Sequence, residues 1–234
     1  MKAIIRWVAV RCLAGFTSVA TAERLEVLCW QVNSSSPKGL VQGMLTAAKI
    51  HEKYGATVGI FRMDVGSSGY PTFDYVLRWD SGADWAKTKE ANSSEEWQAF
   101  WPQAFQAPSG TLLWSMEALN WKDSAKAADF AKDGPYRVYV WQPNGGKAAA
   151  VYAAFSQAAK MHTAMGAKIN IYQEGVGGNG KVHYVMSFKD WKDMADYVDK
   201  VMASEEFRFL QAAAAGAATP IGSIQGEPLY YTGR

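Results

Sequence analysis

The sequence predicts an α+β protein built from two tandem β-α-β-β-α-β modules, and three observations carry that prediction. The chain aligns with itself at an offset of 111 positions, without a gap, from Val27 to Gly69. Strand-like and helix-like hydrophobic patterns then follow one another in the same order in both halves. Breaker residues also fall at matched places, as Gly66 meets Gly177 and Gly69 meets Gly180. A repeat of this length is sought first, because missing it mis-assigns the whole fold.

The first strand is apolar, Leu25–Val32, and its end VLCWQVN (Val27–Asn33) matches VYVWQPN (Val138–Asn144). A polar turn with Pro37 leads into Leu40–Tyr54, where Leu40, Met44 and Ala48 recur at helical spacing. The helix closes with AAKIHEKYGA (Ala47–Ala56), which shares six of ten residues with AAKMHTAMGA (Ala158–Ala167). Gly55 stands where the chain must turn left-handed after a helix. Thr57–Met63 and Phe73–Trp79 read as strands around a glycine-containing loop. Asp84–Ala107 reads as a helix broken near Asn92, with Ser93 or Ser94 capping a new segment whose first turn carries Glu95 and Glu96. Leu112–Trp121 closes the module. The second half repeats the order, with strands near 136–142, 168–174, 182–188 and 221–231. The organisation is therefore a leader at 1–22, a first module at 23–121, a polar, Ala-rich linker at 122–135 and a second module at 136–234.

The leader is read from Lys2, Arg6 and Arg11, a short apolar stretch Cys12–Ala22, and the small-x-small end Ala20-Thr21-Ala22. Arg11 interrupts the apolar run, and the alternative is an N-terminal element that stays attached. Eleven apolar-leaning residues are too few to span a bilayer. The expectation is an exported protein, periplasmic or secreted, with no membrane attachment after cleavage. Cleavage takes 24 basic residues to 21 against 22 acidic ones, so the net charge of +2 becomes −1. No basic patch then remains to hold nucleic acid. The remaining thiol, Cys29, has no disulfide partner and reads as a small core residue.

The element order is that of a ferredoxin-like, split-βαβ module: two helices on one face of a four-stranded antiparallel sheet, with the other face needing cover. In strand two, Val58, Ile60, Ile169 and Ile171 suit the helix-covered face. Thr57, Gly59, Phe61, Lys168, Asn170 and Tyr172 take the other, which is mixed polar and aromatic. On these residues, and on the AAKIHEKYGA, AAKMHTAMGA, SSEEW and SEEF segments, the chain resembles the dimeric α/β-barrel superfamily. That superfamily includes antibiotic-biosynthesis-monooxygenase-like, NIPSNAP-like and EthD-like proteins. The resemblance implies two ferredoxin-like units joining their sheets into an intramolecular pseudo-dimeric barrel, with further homo-oligomers open. It spans oxygenases, haem proteins, isomerases and non-catalytic binders, so it does not assign an activity.

His51 and His162 occupy equivalent places, each continuing an apolar helical stripe near a helix end. Two roles are open to them. One is general base, or axial ligand to haem; the other is a packed His that caps terminal carbonyls and gains from the helix dipole. His183 is the third His of the chain, and its counterpart is Asp74. No HxH, HExxH or CxxC spacing is present, so no metal site and no required cofactor is predicted. Trp30 and Trp141, each followed by Gln (Gln31, Gln142), and the matched Tyr75 and Tyr184 could wall a pocket for a flat ligand, or pack the interface between sheets. With Tyr172 and His183 they form the candidate ligand-binding set. The leading reading is binding of a small apolar or aromatic molecule between sheet and helices. The alternatives are a cofactor-independent monooxygenase-like enzyme with His51 or His162 as base, and haem held by one of these His.

Overall fold

The computed structural model describes residues 22–33, 37–66, 71–106, 108–121, 125–208 and 215–234. The leader read at 1–22 lies outside these apart from Ala22, as does most of the loop after Gly66. The fold is α+β: eight antiparallel strands close into a barrel, and helices pack outside it.

The strands are β1 (Arg24–Val32), β2 (Thr57–Val65), β3 (Thr72–Trp79), β4 (Gly110–Asn120), β5 (Tyr136–Pro143), β6 (Lys168–Glu174), β7 (Val182–Ser187) and β8 (Ala218–Tyr231). Between them stand α1 (Lys38–Lys53), α2 (Gly82–Glu90), α3 (Glu95–Gln106), α4 (Ala148–Ala164) and α5 (Trp191–Ala203). Around the barrel the order is β1-β3-β2-β8-β5-β7-β6-β4. Each half of the chain thus contributes four adjacent strands in the order fourth-first-third-second. The halves join where β2 meets β8, with Gly59 opposite Tyr231, and where β4 meets β6, with Asn120 opposite Tyr172. Closure leaves no unpaired strand edge. No helix among the described residues is long and apolar enough to cross a membrane.

Local signals set the element ends. Gly55 and Gly166 take φ of +100° and +107° just past α1 and α4, a conformation other residues rarely adopt. The expected break in the helix following β3 is present: a single 3-10 turn at Ala91–Ser93 separates α2 from α3, and Ser94 Oγ accepts from the Trp97 amide. The same cap recurs where Ser204 Oγ accepts from the Phe207 amide at 3.0 Å.

Because side chains alternate across a strand, the closed sheet has two insides. The outward face of β1–β3 packs under α1 and α3 with Val58, Ile60, Phe73, Leu77 and Trp79. The outward face of β6 and β7 packs under α4 and α5 with Ile171, Val182, Met186, Met194 and Tyr197. The inward face forms a lumen around Leu25, Val27, Val76, Met116 and Tyr172. The faces expected for Val58, Ile60, Phe61, Ile169, Ile171 and Tyr172 are those observed.

One end of the lumen is stoppered by a buried network. Arg78 Nη1 donates to Glu23 Oε1 at 2.5 Å and to the Tyr172 hydroxyl at 2.6 Å. Glu23 Oε2 accepts from Asn120 Nδ2 at 2.8 Å and from Tyr172 at 3.0 Å. Phe130 lies under the Arg78 guanidinium, 4.0 Å from ring centroid to Cζ. The stretch read as a polar linker is therefore packed along its described part: Ala125, Ala127 and Phe130 are buried.

Candidate functional site

The larger of two described cavities lies at the end of α4. His162 lies in its last turn with only 4% of its surface exposed. Its Nδ1 is 2.8 Å from the Tyr197 hydroxyl on α5. The same hydroxyl lies 3.2 Å from Met186 Sδ. With Nδ1 engaged by Tyr197, Nε2 is the ring nitrogen left to face the cavity. Nε2 is buried and has no hydrogen-bond partner among the described residues, and the same holds for the Tyr184 hydroxyl on β7.

Both residues line a cavity of about 610 Å³ between β5, β7, α4 and α5. Trp141, Phe155, Tyr139, Met186 and Phe207 supply much of its wall, and Arg137 is its one cationic lining residue. The rings are ordered edge to face: Phe155 on Tyr184 at 5.4 Å and Trp141 on Phe155 at 5.9 Å. Phe207 stands at 5.3 Å from the His162 ring. Burial in this apolar wall lowers the His162 pKa to about 4, so the imidazole is neutral at physiological pH. Burial pushes the Tyr184 phenol well above its ordinary value, so it stays protonated.

The equivalent helix end in the first half is built otherwise. His51 Nδ1 is 2.8 Å from the Tyr75 hydroxyl. Its ring meets the Trp97 indole edge to face at 4.7 Å. Trp97 is 2% exposed and packs on Phe100 at 5.3 Å and Trp101 at 4.9 Å. The indole stands where the second half has the smaller Phe207. Burial, with a lesser contribution from the Lys89 charge, lowers the His51 pKa to about 4 as well.

The residues singled out in the sequence thus fall into separate places. His162, Trp141 and Tyr184 come together on the large cavity. His51 and Tyr75 pair under Trp97, and Trp30 packs against the same first-half core. Gln31 and Gln142 sit half-buried at strand ends and line neither described cavity. Tyr172 and His183 face the lumen, on the other side of the sheet from His162. Strand alternation therefore keeps His162 and His183 apart, and no cluster of three or more His, Cys, Asp or Glu among the described residues could hold a metal ion. Instead His183 Nε2 meets Glu174 Oε1 at 2.7 Å.

Sequence reasoning missed Tyr197, which engages His162 Nδ1, and Met186 beside it. Tyr197 was findable: it follows the buried Met194 by three residues on the apolar stripe of α5.

No protein-family model matches the chain, and no curated protein sequence does. Solved structures do. A candidate monooxygenase from Fusobacterium nucleatum subsp. nucleatum is 12% identical, with 90% of this chain covering 94% of that one at a TM-score of 0.59. An anthrone oxidase-like protein is 12% identical, with coverages of 91% and 94% and a TM-score of 0.58. A haem-binding protein from Thermus thermophilus is 8% identical, with coverages of 90% and 92% and a TM-score of 0.53. At these identities the likeness concerns the fold alone, an α+β barrel.

Proposed function

We propose that the protein binds a flat, largely apolar aromatic molecule in the cavity between α4, α5 and the sheet, with His162 Nε2 and the Tyr184 hydroxyl orienting it. The observation that carries this reading is the pair of buried, unpartnered polar atoms on an aromatic-walled cavity. Leaving such atoms unpaired costs about 1–3 kcal/mol each, a cost that a ligand with matching polar groups removes. A phenol, whose hydroxyl can donate or accept, suits His162 Nε2, and a carbonyl or ether oxygen suits the Tyr184 proton.

The test is a titration with 1-naphthol and naphthalene, followed by tryptophan fluorescence. The expected result is saturable binding of 1-naphthol at least about tenfold tighter than naphthalene, with the preference lost in His162→Ala. Equal affinity for the two probes would remove His162 from the site.

A second reading is favoured by the same unpartnered nitrogen. A neutral imidazole with Nε2 facing a cavity of this size could hold the iron of a haem. His162 would hold the iron, Arg137 is the cavity's cation for a propionate, and the aromatic wall would face the macrocycle. Bound there, haem would supply redox or oxygen chemistry; His162 with its Tyr197 partner would set the electron richness of the ligand. A Soret band after reconstitution, lost in His162→Ala, would support this reading. Base catalysis by His162 is the weakest of the three, since a pKa of about 4 is far below the value at which a base works well near neutral pH.

Tandem duplication and export belong to the same proposal. The identical strand order in the two halves and the matched Gly66 and Gly177 support duplication. Both glycines have positive φ and abut the backbone of the opposite half, near Ser223 and Ser115. Export is supported by the basic start at Lys2, Arg6 and Arg11, the short apolar stretch and the Ala20-Thr21-Ala22 end.

A further inference from the structure

The barrel lumen is a second cavity, of about 320 Å³, on the opposite face of the sheet from His162. Its wall is mostly apolar, with aromatic rings from Phe61, Trp114, Phe130, Tyr136 and Tyr172. Asp74, on β3, projects into it from directly opposite Cys29 in the β1–β3 ladder. The carboxyl is 6% exposed; the Cys29 thiol hydrogen-bonds to it, and Oδ1 has no partner. Tyr136, on β5, also lines the lumen, is 7% exposed, and its hydroxyl has no partner either.

What Asp74 lacks is a cation. The other carboxylates around the lumen have partners: Glu23 has Arg78, Asp133 has Lys168 and Ser187, and Glu174 has His183. No ion pair reaches Asp74 among the described residues, and Arg78, four positions along the same strand, is committed to Glu23 and Tyr172. A buried carboxylate without a counter-charge is costly, and burial accordingly lifts its pKa to about 7. A group of this kind is stabilised by whatever brings a positive charge and a hydrogen-bond donor into the lumen. The ring faces of Phe61 and Trp114 favour a cation as well.

We propose that the lumen binds a small organic cation, a protonated amine on a compact apolar body, with Asp74 Oδ1 accepting from the ammonium and the Tyr136 hydroxyl as a second polar contact. This site is independent of the His162 cavity, and each can stand without the other.

The test uses the full protein and three probes of one shape: benzylamine, benzyl alcohol and benzoate, titrated by calorimetry. Benzylamine is expected to bind saturably, at least about tenfold tighter than benzyl alcohol, with benzoate weakest. Asp74→Asn keeps the side-chain shape and removes only the charge, so it should fold, checked by an unchanged or raised melting temperature, and should abolish the preference for the amine. Tyr136→Phe should weaken the amine by a smaller factor, and His162→Ala should leave it unchanged. The proposal is overturned if no amine binds, if the alcohol or benzoate binds as tightly, or if Asp74→Asn keeps the preference. It is equally overturned if His162→Ala, rather than Asp74→Asn, removes amine binding, since the amine would then occupy the other cavity.

Discussion

In the first half of the chain, a histidine at the end of α1 is pinned between the Tyr75 hydroxyl and the edge of a buried tryptophan. In the second, the matching histidine at the end of α4 is pinned from behind by Tyr197 and presents a bare nitrogen to a cavity. The two helices end alike, with the same glycine past the same turn and both imidazoles held neutral by burial. The difference lies in what the following helical segment brings back to the histidine. SSEEW delivers an indole backed by Phe100 and Trp101, whereas SEEF delivers the phenyl ring of Phe207. Among the described residues, one scaffold thus carries a packed version and a hollow version of the same corner.

The comparison is most easily broken by truncating the two rings. Trp97→Ala should cost about 3–5 kcal/mol of unfolding free energy, because it empties a closed, well-packed space. Phe207→Ala, at a half-buried ring beside an existing cavity, should cost about 1–2 kcal/mol. Urea denaturation of both variants checks this, and equal losses would mean that the second half is packed as tightly as the first. Added indole should restore part of the lost stability of Trp97→Ala.

A property the two halves share sharpens the contrast. Both His51 and His162 have pKa values lowered from 6.5 to about 4. The unfolded chain therefore takes up these protons first as pH falls, so stability is full above about pH 6.5 and declines between 6.5 and 4. Each histidine should contribute about 2–3 kcal/mol to that decline. Replacing either with a neutral Gln should flatten the pH dependence of the melting temperature by a similar amount. A wild-type melting temperature independent of pH over this range would contradict the burial of both rings.

A smaller effect is expected in the lumen. Glu174→Gln removes the charge facing His183 and one of the two acceptor oxygens, and should lower stability by about 1 kcal/mol, since the pair is part of a hairpin end rather than the stoppered core. A loss above about 3 kcal/mol would show that this pair carries the barrel as the Glu23–Arg78 network does.

Much of this was legible from residues. Helical and strand periods place the elements, and the offset of 111 pairs His51 with His162. Tyr75 meets Tyr184 once two residues are dropped in the intervening turn. Strand alternation also separates Val58 and Ile60 from Phe61, and hence the helix-side core from the lumen. What could not be read is which side holds space. A Trp and a Phe at matched positions both look like core, and only packing reveals that, among the described residues, one fills its corner and the other borders a cavity of about 610 Å³. The lumen's polar lining depends on pairings far apart in sequence. Glu23 meets Arg78 and Tyr172, and Phe130 arrives from a segment whose polarity suggested a tether. Asp74 against His183 marked a position where the halves differ, but its lack of a counter-charge emerges only once every neighbouring strand is in place.

The most direct test of the hollow-corner account is a parallel titration of wild type, His51→Ala and His162→Ala with 1-naphthol. Wild type and His51→Ala should bind with the same affinity, while His162→Ala binds at least about tenfold more weakly. Loss of binding in His51→Ala with retention in His162→Ala would place the ligand in the other half and contradict the account.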